Sequence, residues 1–426
     1  ARVLLRSLTF TISTMSKDYD ILLFGVTGFT GKLAAEHLLA KGYAAKWGVC
    51  ARNEGKAQES LKGILERLSK PQSEMPKVEV ADLVCRSPED EEKLRGIVKK
   101  TKVVITTAGP FEKYGTTLLK LCAEEGVHYA DITGESDFFR SMIEKYDSVA
   151  QKSGSVCVVH CGNDCIPWDL MVFEMNKVAK SKGAELVEAS TFTELPPGTE
   201  GSGGTIATAL FQLGKSRGRD GKPAFDPLMR MPDGSKSPCP TKVTSPKSDV
   251  WFAEFEKKAG PWIMSPVMAN CVRRSNALLQ YSESFSYSEA QLRDGSVMQS
   301  LKDASFSALV GAAIYLPGVF GRFLPQPGEG PTREVMDSGY LIVHGRGKAV
   351  NKSSGETSKI SGTFRFNEDV TYLSTAKFLV ETGMLLLGEA GKGPGGVKTP
   401  AAALGSGIVQ RIVEQTGAHL EVSVVE

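Results

Sequence analysis

Several absences narrow the reading of this 426-residue chain. It contains no apolar run of the roughly 18 to 20 residues that a membrane-crossing helix needs. The nearest stretch, 308–321 (ALVGAAIYLPGVFG), is shorter and is interrupted by Pro317. It reads as a buried helix or loop, with a position on a membrane or lipid surface as the alternative. Charge of one sign is also lacking: 51 Lys and Arg against 49 Asp and Glu leave a net charge of +2. No basic stripe or aromatic-plus-arginine cluster occurs, which argues against nucleic acid as a partner. Cysteine spacing gives no disulfide framework. Eight cysteines are scattered at 50, 85, 122, 157, 161, 165, 239 and 271, several inside apolar runs, which fits a reducing compartment. Cys157, Cys161 and Cys165 are spaced by four around His160. On a strand entering a turn they do not converge on one ion, and no second Cys pair completes a tetrahedral site, so no metal is expected and they read as buried thiols. There is no repeat of fixed period, no low-complexity tract, and no tyrosine with a lysine four positions on, which removes the proton relay of short-chain reductases.

With 41% apolar and 23% charged residues the chain reads as an ordinary folded protein, and its length exceeds one hydrophobic core, so two domains are expected. From Asp20 the pattern alternates strand and helix, as in a parallel sheet covered on both faces. Strands are expected at 21–25, 47–51, 77–83, 102–108, 127–132 and 156–161. Helices are expected at 31–39, 55–68, 88–100, 116–125 and 136–153. After Asp169 the regularity breaks; 277–289 and 339–343 favour β structure. The fold class is therefore α/β, a Rossmann-type doubly wound parallel sheet with a second, mixed α+β domain. Residues 1–18 form a leader, 19–169 the dinucleotide-binding domain, 170–398 a substrate or closure domain, and 399–426 a helix and strand returning to the first domain. Thr399, Pro400 and Gly417 mark that helix as cap, first position and stop. The first fourteen residues carry Arg2 and Arg6 and no acid. Either they are the remnant of a transit peptide or a leader without a role, which leaves a mitochondrial or a cytoplasmic location, with peripheral attachment to a membrane or lipid droplet also open.

The strand at 21–25 runs directly into Gly25-Val-Thr-Gly28-Phe-Thr-Gly31. Gly25 permits the tight turn, Gly28 lets backbone approach a pyrophosphate, and Gly31 lets the following helix lie close on the strand. Thr27, Phe29 and Thr30 complete the loop, and the helix start offers free N–H groups and a positive dipole end to phosphates. About twenty residues further on, where an NAD enzyme presents an acid to the ribose, the second strand ends in Arg52. A guanidinium there suits a 2′-phosphate, which favours NADP(H) over NAD(H). Asp82, ending the third strand, is a candidate for the adenine amino group. The fourth strand ends at Thr107-Ala108-Gly109-Pro110-Phe111, and Ala108, Gly109, Pro110 and Phe111 are expected beside the nicotinamide.

The set GVTGFTG, AR, TAGPFEKYG, HYADITGE, HCGNDCIPWD and GPGGVKTPAAALG, spread from Tyr19 to the end of the chain, resembles the saccharopine dehydrogenase-like oxidoreductases, including the bacterial trans-acting enoyl reductases of glycolipid assembly. The resemblance implies an NADP-type Rossmann domain, a second domain closing over the nicotinamide, and hydride transfer; members are associated with lipid droplets, membranes and mitochondria. One motif departs from the family. Where Gly-Phe-Asp-Ser-x-Pro-x-Asp is common, this chain has Gly162-Asn163-Asp164-Cys165-Ile166-Pro167-Trp168-Asp169.

Hydride transfer to carbon usually requires a placed proton donor. Four carboxylates cluster at the expected cleft edge: Asp131, Glu135, Asp164 and Asp169. Glu135 and Asp164 are the catalytic candidates; Asp131 reads equally as a turn or helix cap, and Tyr114 near the nicotinamide turn is a further acid. Cys165 is an alternative nucleophile. Gly201-Ser202-Gly203-Gly204-Thr205 could present N–H groups at the cleft or be a plain turn. The expected activity is NADP(H)-linked reduction of a small hydrophobic, lipid-derived substrate, motivated by 308–321, the neighbouring 324–331, and the lack of an arginine cluster for a carboxylate. A non-catalytic assembly or lipid-surface module and an amino-acid (saccharopine-type) dehydrogenase are the other readings. A homo-oligomer is compatible with all three.

Overall fold

Short apolar runs bounded by glycine and polar residues cannot leave either face in water, and they become the inner strands of a parallel sheet. A computed structural model describes residues 17–196, 202–213, 224–262, 264–293, 325–326 and 328–425. β1 (Tyr19–Phe24) leads into α1 (Phe29–Lys41), β2 (Trp47–Ala51) into α2 (Glu54–Arg67), and β3 (Lys77–Val80) into α3 (Pro88–Val98). β4 (Thr101–Thr106) leads into α4 (Phe111–Glu125), β5 (His128–Asp131) into α5 (Ser136–Ser153), and β6 (Val156–Val158) into α6 (Ile166–Ser181). β1 lies between β2 and β4, with Leu22 in parallel register with Gly48 of β2 and Val104 of β4. Helix starts follow local chemistry. Asn53 accepts from the Lys56 amide and Ser87 from the Asp90 amide, and Pro88 occupies the first turn of α3. α4 begins at Phe111, five residues before the expected start, because a carboxylate from another loop caps its first amides, as described below.

The second layer contains β7 (Glu185–Glu194), α7 (Gly203–Leu213), β8 (Lys242–Val243), β9 (Val250–Phe252), β10 (Lys257–Gly260), α8 (Ser265–Leu279), β11 (Ser286–Arg293), α9 (Arg333–Asp337), β12 (Leu341–Val350) and β13 (Thr357–Phe366). Its sheet runs in the order β13-β12-β7-β11-β10-β9, with β8 beside β11. The expectation of β structure from 277 fails at its start: α8 continues to Leu279 and β11 begins at Ser286. Met268, Cys271, Val272 and Ser275 recur at helical spacing and are all buried, and Pro266 opens the helix. α6 belongs to both layers. Its Met171 and Met175 lie directly over Gly345 and Gly347 of β12, and one core cluster runs from Leu23 and Ile105 through Trp168 and Met171 to Val343 and Phe364.

The chain returns to the first layer earlier than expected, through α10 (Thr375–Leu386), which packs on α1, β4 and β5. β14 (Gly396–Lys398) then adds a seventh parallel strand beside β6. The expected single helix after Thr399 is two, α11 (Pro400–Leu404) and α12 (Ser406–Thr416), broken at Gly405 with φ 54° and ψ −138°, a conformation open to glycine alone. β15 (His419–Val425) does not return to the first domain. It pairs antiparallel with β13, where one covered face suits its alternation of exposed and half-buried residues. The fully buried Arg274 of α8 ties the layers by donating to the carbonyls of Leu228, Arg230 and Val397, 3.7 Å from the Asp147 carboxylate of α5. The stretch 308–321, residues 1–16, Gly201, Leu324 and Pro327 lie outside the described residues.

Candidate functional site

The glycine loop joins β1 to α1 with little room to spare. Gly25 has φ +95°, and a Cβ on Gly31 would stand 2.0 Å from the Gly25 carbonyl oxygen. The Gly28 amide donates to that same oxygen at 2.9 Å. No side chain caps α1, so its first amides face outward. Around Gly28, among the described residues, a Cβ would meet only the Gly25 oxygen, at 3.3 Å, which leaves an open approach to the backbone. Thr27 is exposed, and Phe29 and Thr30 are half-buried. An open glycine beside an uncapped helix start fits a pyrophosphate. Arg52 follows β2 as an exposed side chain without a hydrogen bond or ion pair among the described residues. Asp82 gives one oxygen to the Val84 amide at 3.0 Å.

The turn after β4 is held from a distance. The Ala108 amide donates to the Thr106 hydroxyl, and the Phe111 and Glu112 amides donate to the two Glu135 oxygens at 2.5 and 2.9 Å. Pro110, the residue before α4, brings no side-chain cap, so Glu135 supplies it. Gln212 of α7 donates to the same carboxylate at 3.0 Å. Burial pushes the Glu135 pKa up, and these donors pull it back. Both oxygens of Glu135 therefore serve the Gly109-Pro110-Phe111 turn, a different task from the proton transfer expected of it. Tyr114 sits half-buried in the first turn of α4 with the Lys113 ammonium 5.1 Å from its ring centroid. Among the described residues no hydrogen bond joins its hydroxyl to the other candidates.

Asp131 is wholly buried. It accepts from the Tyr129 hydroxyl at 2.8 Å and the Thr133 and His160 amides at 3.1 and 3.2 Å, and burial pushes its pKa up to about 7. Asp169 is equally enclosed, accepting from the Ser275 hydroxyl and the Ala401 amide. Both carboxyls hold the scaffold. Asp164 differs. It lies in the turn between β6 and α6, with Oδ2 2.7 Å from the position of a Cβ on Gly134, and no hydrogen bond engages it among the described residues. Loss of water alone pushes its pKa up to about 6. The three spaced thiols diverge, Cys157 toward Ser155, Cys161 toward the Val158 carbonyl and Cys165 toward the Val267 carbonyl. Burial raises the pKa of each, with Cys165 pushed up to about 11, which removes the thiolate a nucleophile needs.

Some site residues carried no sequence signal. Tyr372 accepts from the Ser202 amide at 2.5 Å and stands edge-on to Phe29 at 5.2 Å, and Glu289 of β11 is a fully buried carboxyl facing Ser265 and Tyr287, both at 3.4 Å. Gln212 and Tyr372 lie far from the glycine motif in sequence, and no short pattern links them to it.

A pyrophosphate-ready glycine loop, an exposed arginine at the second strand end and a second sheet packed on the first layer define a dinucleotide-binding oxidoreductase. The saccharopine dehydrogenase NADP binding domain family matches residues 21–158. A putative trans-acting enoyl reductase of Mycobacterium tuberculosis is 31% identical over 424 residues, covering 93% of this chain and 96% of that protein. A trans-acting enoyl reductase of Mycobacterium bovis is 28% identical over 421 residues, covering 94% and 97%. Saccharopine dehydrogenase (L-Glu forming) from Saccharomyces cerevisiae shares the fold, with a TM-score of 0.56, 14% identity, and coverage of 96% of this chain and 100% of that one. The chain belongs to the saccharopine dehydrogenase-like family that includes the trans-acting enoyl reductases, and it is an NADP-dependent oxidoreductase.

Proposed function

We propose that this enzyme reduces an activated double bond, carbon–carbon or carbon–oxygen, in a hydrophobic, lipid-derived substrate, and that Asp164 supplies the proton. Bound NADPH supplies the hydride. Gly25, Gly28, Gly31 and the α1 amides hold its pyrophosphate, Arg52 its 2′-phosphate, and Ala108 to Phe111 border its nicotinamide. One hydride and one proton add across the double bond, and the proton comes from the Asp164 carboxyl, which is replenished from solvent. The observation that carries this reading is a carboxyl at the strand ends that no hydrogen bond engages among the described residues, with a pKa raised to about 6 by loss of water. The relatives' names support an enoyl substrate, and the apolar stretch 308–321 supports a lipid-derived one.

Because the acid form is the donor, reduction falls as pH rises above about 6 and the reverse oxidation gains over the same range. Asp164→Asn keeps the size and removes the proton, so it lowers turnover by roughly 10² to 10⁴ while NADPH binding stays unchanged. The test follows NADPH oxidation with enoyl thioesters, ketones and imines of increasing chain length. No turnover across that panel refutes the substrate class, and full activity of Asp164→Asn refutes the donor.

A further inference from the structure

We infer that α7 is a clamp across the cofactor site, and that Gln212 and Glu135 are the positioning pair that sets the nicotinamide turn. This rests on the NADP assignment and not on the identity of the substrate. α7 is fastened at both ends to opposite halves of the first domain's site. At its start the Gly203 amide donates to the Glu329 carbonyl at 3.1 Å, and the Ser202 amide and Thr205 hydroxyl meet the Tyr372 hydroxyl at 2.5 and 3.1 Å. Tyr372 in turn packs edge-on against Phe29 of the glycine loop, and Asp369 fixes it by accepting from its amide at 2.7 Å. At its far end Gln212 donates to Glu135, the carboxylate that caps α4.

Between these ties Thr208 faces the nicotinamide turn, its hydroxyl 3.6 Å from where a Cβ on Gly109 would lie. Thr205, Thr208 and Gln212 recur at three- and four-residue steps, which places all three on one face of the helix. An eleven-residue helix is about 16 Å long, enough to reach from the pyrophosphate loop to the nicotinamide turn. The carboxylate of Glu135 is thus shared. Two backbone amides fix it in the first domain, and the third donor, Gln212, comes from the second layer and reports whether α7 is down. Loss of that third donor leaves α4 capped and the turn folded, and releases the roof above it.

The experiment titrates the full chain with NADPH and reads both affinity and the emission of the bound dihydronicotinamide, with thermal melting of the cofactor-free protein as the fold control. Gln212→Ala removes one hydrogen bond to a charged acceptor and is expected to weaken NADPH binding about tenfold, with reduced emission and an unchanged melting point. Gln212→Glu sets two carboxylates against each other and weakens binding further. Gln212→Lys instead keeps a donor for the same Glu135 oxygen while both backbone amides retain their acceptors, and part of the affinity and emission lost in Gln212→Ala returns. A merely structural residue would not show that rescue. Native affinity and emission in Gln212→Ala and Gln212→Glu overturns the clamp, as does a Gln212→Lys variant that binds no better than Gln212→Ala. Failure of the unaltered chain to bind NADPH overturns the cofactor assignment instead, a result that the Gln212 variants cannot mimic.

Discussion

Gly28 and Gly31 differ by three positions and should fail in different ways when a single methyl group is added. At Gly31 a Cβ falls 2.0 Å from the Gly25 oxygen, 2.6 Å from the Gly25 carbonyl carbon and 2.8 Å from the Thr107 hydroxyl, so backbone has to move. Such overpacking costs about 1–3 kcal/mol, paid in the stability of the first domain before any cofactor is added. At Gly28 a Cβ would meet, among the described residues, one oxygen at 3.3 Å, and φ −80° with ψ 165° is ordinary for alanine. Gly28→Ala should therefore lose only about 0.5–1 kcal/mol, the difference between glycine and alanine at a helix start. Its methyl group projects where pyrophosphate would meet the backbone, and NADPH affinity should drop by at least about tenfold, or roughly 1.4 kcal/mol. Urea denaturation and NADPH fluorescence on the two variants separate the effects. Native NADPH affinity in a folded Gly28→Ala protein would refute the loop as the phosphate cradle, and native stability in Gly31→Ala would refute the packing argument.

Arg52→Ala should weaken NADPH about tenfold and leave NADH unchanged, since a charge-assisted contact to the 2′-phosphate is worth about 1.5–3 kcal/mol; equal losses for both cofactors would count against that role. Glu289 and Asp131 are held protonated by burial, with pKa values pushed up to about 8 and about 7. In the unfolded chain such groups ionise near pH 4, so the native state binds more protons between there and pH 7 to 8, and their contribution to stability declines as pH rises through that window. Glu289→Gln should flatten the decline, seen as urea midpoints that differ less between pH 5 and pH 8 than in the unaltered chain. Arg274→Met leaves Asp147 and three carbonyls without their buried donor and should cost about 3–5 kcal/mol in denaturant unfolding.

What was legible in the sequence was local. The apolar runs of β1, β2 and β4, the caps Ser87 and Thr399, and the glycine spacing each act within a few residues, and the elements they mark stand where expected. The misreadings came from long-range contacts. α4 starts early because Glu135, twenty-odd residues away, supplies its cap, and β15 leaves the first domain because the open edge is on β13. α8 was masked by its polar residues: Arg274, Ser275 and Asn276 are buried, each answered by a partner on a distant segment. In the site, charge alone marked Glu135 and Asp164 as equals. Only the arrangement of donors separates a carboxylate occupied by three of them from one that has none among the described residues.

The alternation of β14 and β15 between the two sheets has a consequence for biogenesis. The first domain lacks its seventh strand and the helix over β4 and β5 until residues 375–398 are available, and the second sheet lacks its edge until 419–425 follow. Domains usually fold in order as they emerge during synthesis. Here the glycine loop and its strand are made long before these segments, so a nascent chain carries an incomplete sheet and its exposed apolar face until residues 375–398 have emerged.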